Sequence, residues 1–304
     1  MLQQVINSAA KEHGVMWLNG EIVPWQTATT SVMSHSLHYG TAAFEGIRVY
    51  KGKPFQVEKH MARFHSSTKL LGYEIPYSQE SLVIACQQVG QELAIEHGIE
   101  HAYMRPLAWL GEGHDTRLDC EGQPVHILIA AFSMDHAEQK RIETRKQGIK
   151  LQVSKWRRIG EDMMPIASKC AGTYASLRLA KQTARKEGYD DGLMLDREGY
   201  IAEATTANFF AIMDGVLVSP TPDRSLNGLT RQLVISIAKE LGVECREARL
   251  KVEDLKTAES AFLTGTAIGI MPVRAVEDMV FEAGHPSLTA IMRCYFALYH
   301  GEGV

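Results

Sequence analysis

The Asn19-Gly20 dipeptide, set between Met16-Trp17-Leu18 and Glu21-Ile22-Val23, constrains the fold more than any other local feature. Asn-Gly supplies the two positive φ angles of a type I′ turn, so the strands it joins pair antiparallel with no helix between them. Residues 47–50, then Lys51-Gly52-Lys53, then 54–57 read as a second hairpin, with Pro54 marking an edge strand. Residues 102–110 and 125–132 read as buried strands, and further strands are predicted at 149–154, 192–196, 208–213 and 216–218. Helices are predicted over 58–71, stopping at Gly72, and over 173–187 and 230–241. Another spans 78–97, where Leu82, Ala85, Cys86, Val89 and Leu93 recur at three and four and Ser78 caps the start. Strands outnumber helices and short turns join many of them. That pattern predicts an α+β chain over a strictly alternating parallel one.

Composition narrows the class. The 304 residues are 45% hydrophobic and 22% charged, which excludes disorder, a collagen-like chain and a disulfide-dense mini-protein. The net charge of −4 provides no basic excess for a phosphate backbone, so no nucleic-acid partner is expected. The most apolar stretch, 127–132, is far short of the ~20 residues that span a bilayer, so no membrane partner is expected. Residues 1–10 lack a basic patch followed by an apolar run, so no secretory signal is expected. Cys86, Cys120, Cys170, Cys245 and Cys294 stand far apart and odd in number, which points to a reducing, cytoplasmic setting. The segment 133–148, with Asp135, Glu138, Lys140, Arg141, Glu143, Arg145 and Lys146, reads as a polar connection holding one or two helical turns. It divides a smaller N-terminal α+β domain, 1–132, from a larger C-terminal domain, 149–304.

Four segments offer chemistry. In Pro165-Ile166-Ala167-Ser168-Lys169-Cys170-Ala171-Gly172-Thr173-Tyr174 a lysine sits among small residues before a predicted helix. A lysine held out of water serves as nucleophile, Schiff-base former or general base, and a surface loop lysine is the competing reading. Glu203, at a strand end amid small residues and hydroxyls, can pair with a protonated ring nitrogen or face water from an edge strand. Asn227-Gly228-Leu229-Thr230-Arg231 leads into a helix, where backbone N–H groups can hold an anion. Thr264-Gly265-Thr266-Ala267 offers hydroxyls and an approachable backbone, or is a plain turn. No nucleophile elbow, phosphate loop or His-Glu-x-x-His motif is present, and the 12 histidines form no convincing metal set, so no metal is expected.

These segments, together with Met33-Ser34-His35-Ser36-Leu37-His38-Tyr39-Gly40-Thr41-Ala42-Ala43-Phe44-Glu45-Gly46-Ile47-Arg48, resemble the class IV, fold type IV aminotransferases that use pyridoxal 5'-phosphate. The Tyr-Gly-Thr…Phe-Glu-Gly-Ile-Arg run is similar to the branched-chain amino acid group within that family, and the resemblance runs from Trp17 to about Arg274. It implies a two-lobed α+β fold of barrel-like sheets with flanking helices, like the D-amino acid aminotransferases, the cofactor belonging to the C-terminal domain.

It also implies roles. Lys169 matches the lysine that carries the cofactor and moves the proton, and Tyr174 the tyrosine on its phenolic oxygen. Glu203 matches the acid on the pyridine nitrogen, and Leu226 the residue against the ring face. Arg63, Leu229, Thr230 and Thr266 match the phosphate site. Tyr39, Phe44, Gly46, Tyr103 and Arg105 match the substrate pocket, with Thr266 and Ala267 receiving the α-carboxylate and Arg105 the distal carboxylate of glutamate. The implied reaction transfers the amino group of L-leucine, L-isoleucine or L-valine to 2-oxoglutarate by ping-pong turnover, in a homo-oligomer that is at least a dimer. Two segments depart from the pattern: Ser133-Met134-Asp135-His136-Ala137, where aromatic residues are usual, and the loop 111–123. Activity on D-amino acids or amines, or an aminodeoxychorismate-type lyase, remains the alternative on the same scaffold.

Overall fold

The computed structural model describes residues 15–113, 115–119 and 121–300. Residues 1–10, His114 and Cys120, used above, lie outside them. The chain forms two compact units. One lies within Met1–Glu138 and takes in Ser168–Gly172; the other lies within Gln139–Ala167 and Thr173–Val304. Residues 168–172, Lys169 among them, thus group with the first unit although they fall inside the 149–304 stretch of sequence.

The first unit contains a 7-stranded antiparallel sheet. Its strands are β1 (Val15–Leu18), β2 (Glu21–Pro24), β3 (Ala43–Phe44), β4 (Ile47–Tyr50), β5 (Lys53–Pro54), β6 (His101–Leu110) and β7 (Val125–Ser133). The order is β2-β1-β7-β6-β4-β5, with β3 also on β6. The first hairpin forms as predicted, with Asn19 at φ 49° and Gly20 at φ 107°. The helices are α1 (His35–Tyr39), α2 (Val57–Leu70) and α3 (Gln79–His97). The second hairpin turns at Lys51-Gly52, and its return strand ends at Pro54 because α2 already begins at Val57. Ser78 caps α3 by accepting from Ser81 N–H at 3.1 Å, and Gly98 closes it at φ 64°. Alternation decides the faces: Ile47, Val49, Ala102, Met104, Ala108, Ile127, Ile129 and Ala131 join Leu82, Val89 and Leu93 in one core. Arg48, Tyr103, Arg105 and Trp109 take the opposite face.

The segment 133–148, within which the chain passes from the first unit to the second, holds more than a turn or two of helix: Asp135–Gln147 forms a continuous helix, α4. Its residues are polar, so no apolar stripe announces it. Local pairs such as Lys146 to Glu143 at 3.1 Å, three residues apart, support it instead.

The second unit holds a 9-stranded mixed sheet. It comprises β8 (Ile149–Arg157), β9 (Asp191–Leu195), β10 (Ile201–Ala204), β11 (Asn208–Met213), β12 (Val216–Pro220), β13 (Cys245–Ala248), β14 (Ala258–Gly265), β15 (Gly269–Val276) and β16 (Met279–Val280). The order is β10-β9-β8-β15-β14-β11-β12-β13, with β16 on β15. Helices α5 (Tyr174–Lys186), α6 (Leu229–Glu240) and α7 (Pro286–His300) flank it. Strand β8 runs parallel to β9 and β15, and β12 to β13, each a pairing that needs a crossover; the rest are antiparallel. Two helix-flanked sheets rich in hairpins bear out the α+β expectation. Among the described residues no helix is long and apolar enough to cross a membrane.

Candidate active site

In the first unit Lys169 is held by its backbone on both sides. Its N–H donates to Ser67 Oγ at 3.0 Å, and its carbonyl accepts from Phe44 N–H at 3.1 Å. Ala171 N–H donates to Ala42 O at 2.7 Å, so the lysine segment is pinned along residues 40–44. The half-buried side chain brings Nζ to 4.7 Å from the centre of the Phe44 ring. The Arg105 guanidinium reaches the same ring at 4.4 Å and donates to Tyr103 Oη at 3.4 Å. A β-carbon on Gly46 would overlap the Tyr103 hydroxyl, so only glycine there lets Tyr103 lie over the strand. Lys169, Phe44, Gly46, Tyr103 and Arg105 therefore gather at one place. Tyr39 does not join them by any direct bond. It is 41% exposed and donates to Thr116 O at 2.5 Å, while His35 Nε2 donates to Leu118 O at 3.0 Å. Both bonds tie α1 to the loop that departs from the family pattern.

Arg63 comes with two residues that sequence reading missed. Glu45, fully buried, accepts from Arg63 Nε at 2.7 Å through Oε1 and from Arg63 Nη2 at 2.9 Å through Oε2. It also accepts from His60 Nδ1 at 2.7 Å. A carboxylate can only accept, so His60 carries its proton on Nδ1. Burial opposes ionisation of Glu45, but Arg63 and His60 outweigh it and hold the carboxyl well below the usual range. Burial pushes His60 below its ordinary 6.5, with the charges of Arg63 and Lys169 in the same direction against the pull of Glu45. The one local signal was on His60, three residues from Arg63 on the same helix; Glu45, in the two-residue break between β3 and β4, gives none.

In the second unit Glu203 lies on β10, an edge strand, yet it does not face water. It is 6% exposed and accepts from Arg158 Nε at 2.5 Å. Asn208 Nδ2 reaches Glu203 Oε2 at 3.4 Å and donates to the Leu226 carbonyl at 2.8 Å. Asn208 thereby ties the acid to the loop before α6. A β-carbon on Gly228 would overlap Asn208 Oδ1, so the glycine makes this approach possible. Leu229 and Thr230, both buried, open α6, whose N-terminus no side chain caps. Thr266 and Ala267 form the half-buried turn between β14 and β15, where Arg145 Nη2 donates to Ile268 O at 3.4 Å. Tyr174, the first residue of α5, packs with Leu177, Ala180 and Met194. Sequence reading missed Arg158 and Asn208. The one clue to Arg158 was that a buried Glu203 needs a cation.

The match with known proteins is broad. Residues 42–276 match the family model of class IV amino-transferases. A probable branched-chain-amino-acid aminotransferase of Rickettsia bellii is 42% identical over 264 residues, covering 86% of this chain and 87% of that protein. The crystal structure of the Escherichia coli branched-chain amino acid aminotransferase superposes with a TM-score of 0.88 at 37% identity, covering 96% of this chain and 97% of that one. A T.th. branched-chain amino acid aminotransferase, crystallised with N-(5'-phosphopyridoxyl)-L-glutamate, gives 0.87 at 35% identity, covering 95% of each chain. A lysine seated against an aromatic ring, a buried acid paired with arginine, and a family match across most of the sequence lead to one conclusion: the chain belongs to the class IV aminotransferases.

Proposed function

We propose that this enzyme moves the amino group of L-leucine, L-isoleucine or L-valine to 2-oxoglutarate, with pyridoxal 5'-phosphate carried on Lys169. One observation supports the substrate choice most: an amine and a guanidinium, Lys169 and Arg105, both lie against the Phe44 ring, at 4.7 and 4.4 Å. An amino acid whose α-nitrogen meets the amine lays its side chain along an aromatic wall that ends in a cation. An aliphatic chain packs on the wall, and a chain ending in a carboxylate reaches the cation.

The residues fit the cofactor. The uncapped start of α6 gives the N–H groups of Leu229 and Thr230 to a phosphate, which Thr266 and Arg63 would also hold. Glu203, buried and paired with Arg158, is suited to a pyridine N–H, Tyr174 to a phenolic oxygen and Leu226 to a ring face. When bound, the cofactor supplies an electron sink that makes the substrate Cα–H acidic. Lys169 takes that proton and returns it, its backbone held by Ser67 and Phe44 so that the amine is placed before substrate arrives. Thr266 and Ala267 receive the α-carboxylate, and Gly46, Tyr103 and Tyr39 shape the pocket.

A homo-oligomer and a cytoplasmic setting complete the reading. The first unit bears an apolar cavity of about 260 Å³ lined by Leu18, Leu37, Leu107, Trp109 and Leu128. Near it in sequence, Val32 is 74% exposed and Leu118 73%. Such a surface suits cover by a second copy. Cys86, Cys170, Cys245 and Cys294 are all free thiols, which suits a reducing compartment.

The test is a panel of initial rates on the purified enzyme with 2-oxoglutarate as acceptor. L-leucine, L-isoleucine and L-valine are expected to turn over within one to two orders of magnitude of each other, since a methylene is worth only about 1–3 kcal/mol in an apolar pocket. Preference for D-alanine or a chiral amine would overturn the assignment.

A further inference from the structure

Two arginines share the face of the first unit's sheet that looks away from its core. Arg48 on β4 lies opposite Tyr103 on β6, and Arg105 is two residues further along β6. The two are diagonal neighbours, about 7–8 Å apart along the sheet. Their surroundings differ. The Arg48 side chain is 6% exposed, and all three of its nitrogens are engaged. Nη2 donates to Glu138 Oε2 at 2.9 Å, Nε to Tyr50 Oη at 3.1 Å and Nη1 to Met134 Sδ at 3.2 Å. Arg105 touches the Tyr103 hydroxyl and the rings of Phe44 and Tyr103. Among the described residues it makes no ion pair, and its Nε is buried without a hydrogen-bond partner.

We propose that Glu138 is a specificity-determining residue: by pairing with Arg48 it leaves Arg105 as the one uncompensated guanidinium among the described residues of this face. The proposal rests on the reading of Arg105 as the site of the distal carboxylate. A pocket that alternates between an aliphatic chain and a carboxylate needs one cation for the second and little else that is unpaired. An apolar chain laid on an unpaired guanidinium strips its water and returns no hydrogen bond. One such group is a workable compromise, whereas two would favour dicarboxylates and penalise leucine. The first turn of α4 carries the carboxylate that removes the second. That turn overlaps the part of the sequence where this chain departs from its family's aromatic pattern, and Met134 from the same stretch also contacts Arg48.

The holoenzyme can be titrated calorimetrically with glutarate, a dicarboxylate, and with 4-methylvalerate, an apolar monocarboxylate. Glu138→Gln keeps an acceptor for Arg48 but removes the charge. It is expected to shift the ratio of the two dissociation constants toward glutarate by about tenfold, the effect of one added cation near a ligand carboxylate in a partly solvated site. The paired variant Arg48→Met/Glu138→Leu replaces both partners by apolar groups and guards against a misfolded single variant. Its ratio is expected within about twofold of wild type, because the pair it removes was electrostatically neutral. An unchanged ratio in Glu138→Gln overturns the proposal. So does a loss of glutarate affinity in the paired variant as large as that of Arg105→Ala, since Arg48 would then already serve the ligand. The underlying reading fails with a different signature: Arg105→Ala leaves glutarate affinity at the wild-type value, and both inferences fall.

Discussion

Replacing Glu45 by glutamine tests the buried network of the first unit. The side chain of Glu45 is 0% exposed, that of His60 4% and that of Arg63 14%, so none of the three can recover its partner's contribution from water without moving. Glutamine keeps the shape but turns an NH₂ group toward donors, of which the carboxylate meets four: two on Arg63, His60 Nδ1 and the Gly46 N–H. The Arg63 charge then stays in a largely buried setting without its carboxylate. Removing one partner of a buried ion pair costs about 3–5 kcal/mol. A chain of 304 residues unfolds with an entropy of roughly 0.6 kcal/mol/K, so the melting temperature is expected to fall by about 5–8 °C. Urea unfolding at pH 7 and thermal melts give the value, and the fitted m-value shows whether the unfolded reference has changed. Glu45→Leu combined with His60→Leu and Arg63→Met should cost much less than the sum of the single changes, since the charges leave together. A melting temperature lowered by less than about 2 °C in Glu45→Gln would refute the reasoning.

The same network sets a pH dependence. Glu45 and His60 both titrate below their ordinary values, 4.5 and 6.5, in the folded protein. Each contributes stability that is complete above its unfolded value and lost as pH falls toward the folded one. The stability gap between wild type and Glu45→Gln should therefore shrink as pH drops below about 4.5 in matched melts; a gap that widens contradicts the assignment. Gly46→Ala forces the Tyr103 hydroxyl aside at a cost of about 1–3 kcal/mol. It should raise KM for leucine while leaving cofactor affinity nearly unchanged, and equal damage to both would disprove that separation. Arg105→Ala should raise KM for 2-oxoglutarate relative to leucine by about 2–3 kcal/mol, roughly 30- to 150-fold. Steady-state kinetics with both substrates showing parallel losses would remove Arg105 from that role.

What the sequence revealed depended on whether a signal was local. Ser78 and Gly98 mark α3 at both ends because caps act within one turn. The strand 102–110 is plain because alternating residues build the core. Helix α4 is obscure because periodicity detects helices by their apolar stripe, and this one has charges all round. The hairpin of β14 and β15 escapes a pattern search because most residues of both strands are buried, whichever face they take, so apolar and polar residues do not alternate. Lys169, Glu203 and Arg63 stand out through their neighbours in sequence. Their supports do not: Arg158 is 45 residues from Glu203, Glu138 is 90 from Arg48, and Glu45 is 18 from Arg63. A partner brought in by folding leaves no mark on spacing. Its existence follows only from the rule that a buried charge must be paired.

The most direct test of the account reads the cofactor's attachment and its response to substrate together. The holoenzyme is reduced with borohydride, digested and mapped by mass spectrometry, with and without prior addition of excess L-leucine. Without amino acid, the phosphopyridoxyl group is expected on the peptide containing Lys169. After L-leucine that label is expected to disappear, because the lysine has been released and the amino group has passed to the cofactor, whereas D-leucine should leave it in place. A label on another lysine, or a Lys169 label that survives L-leucine, would contradict the account.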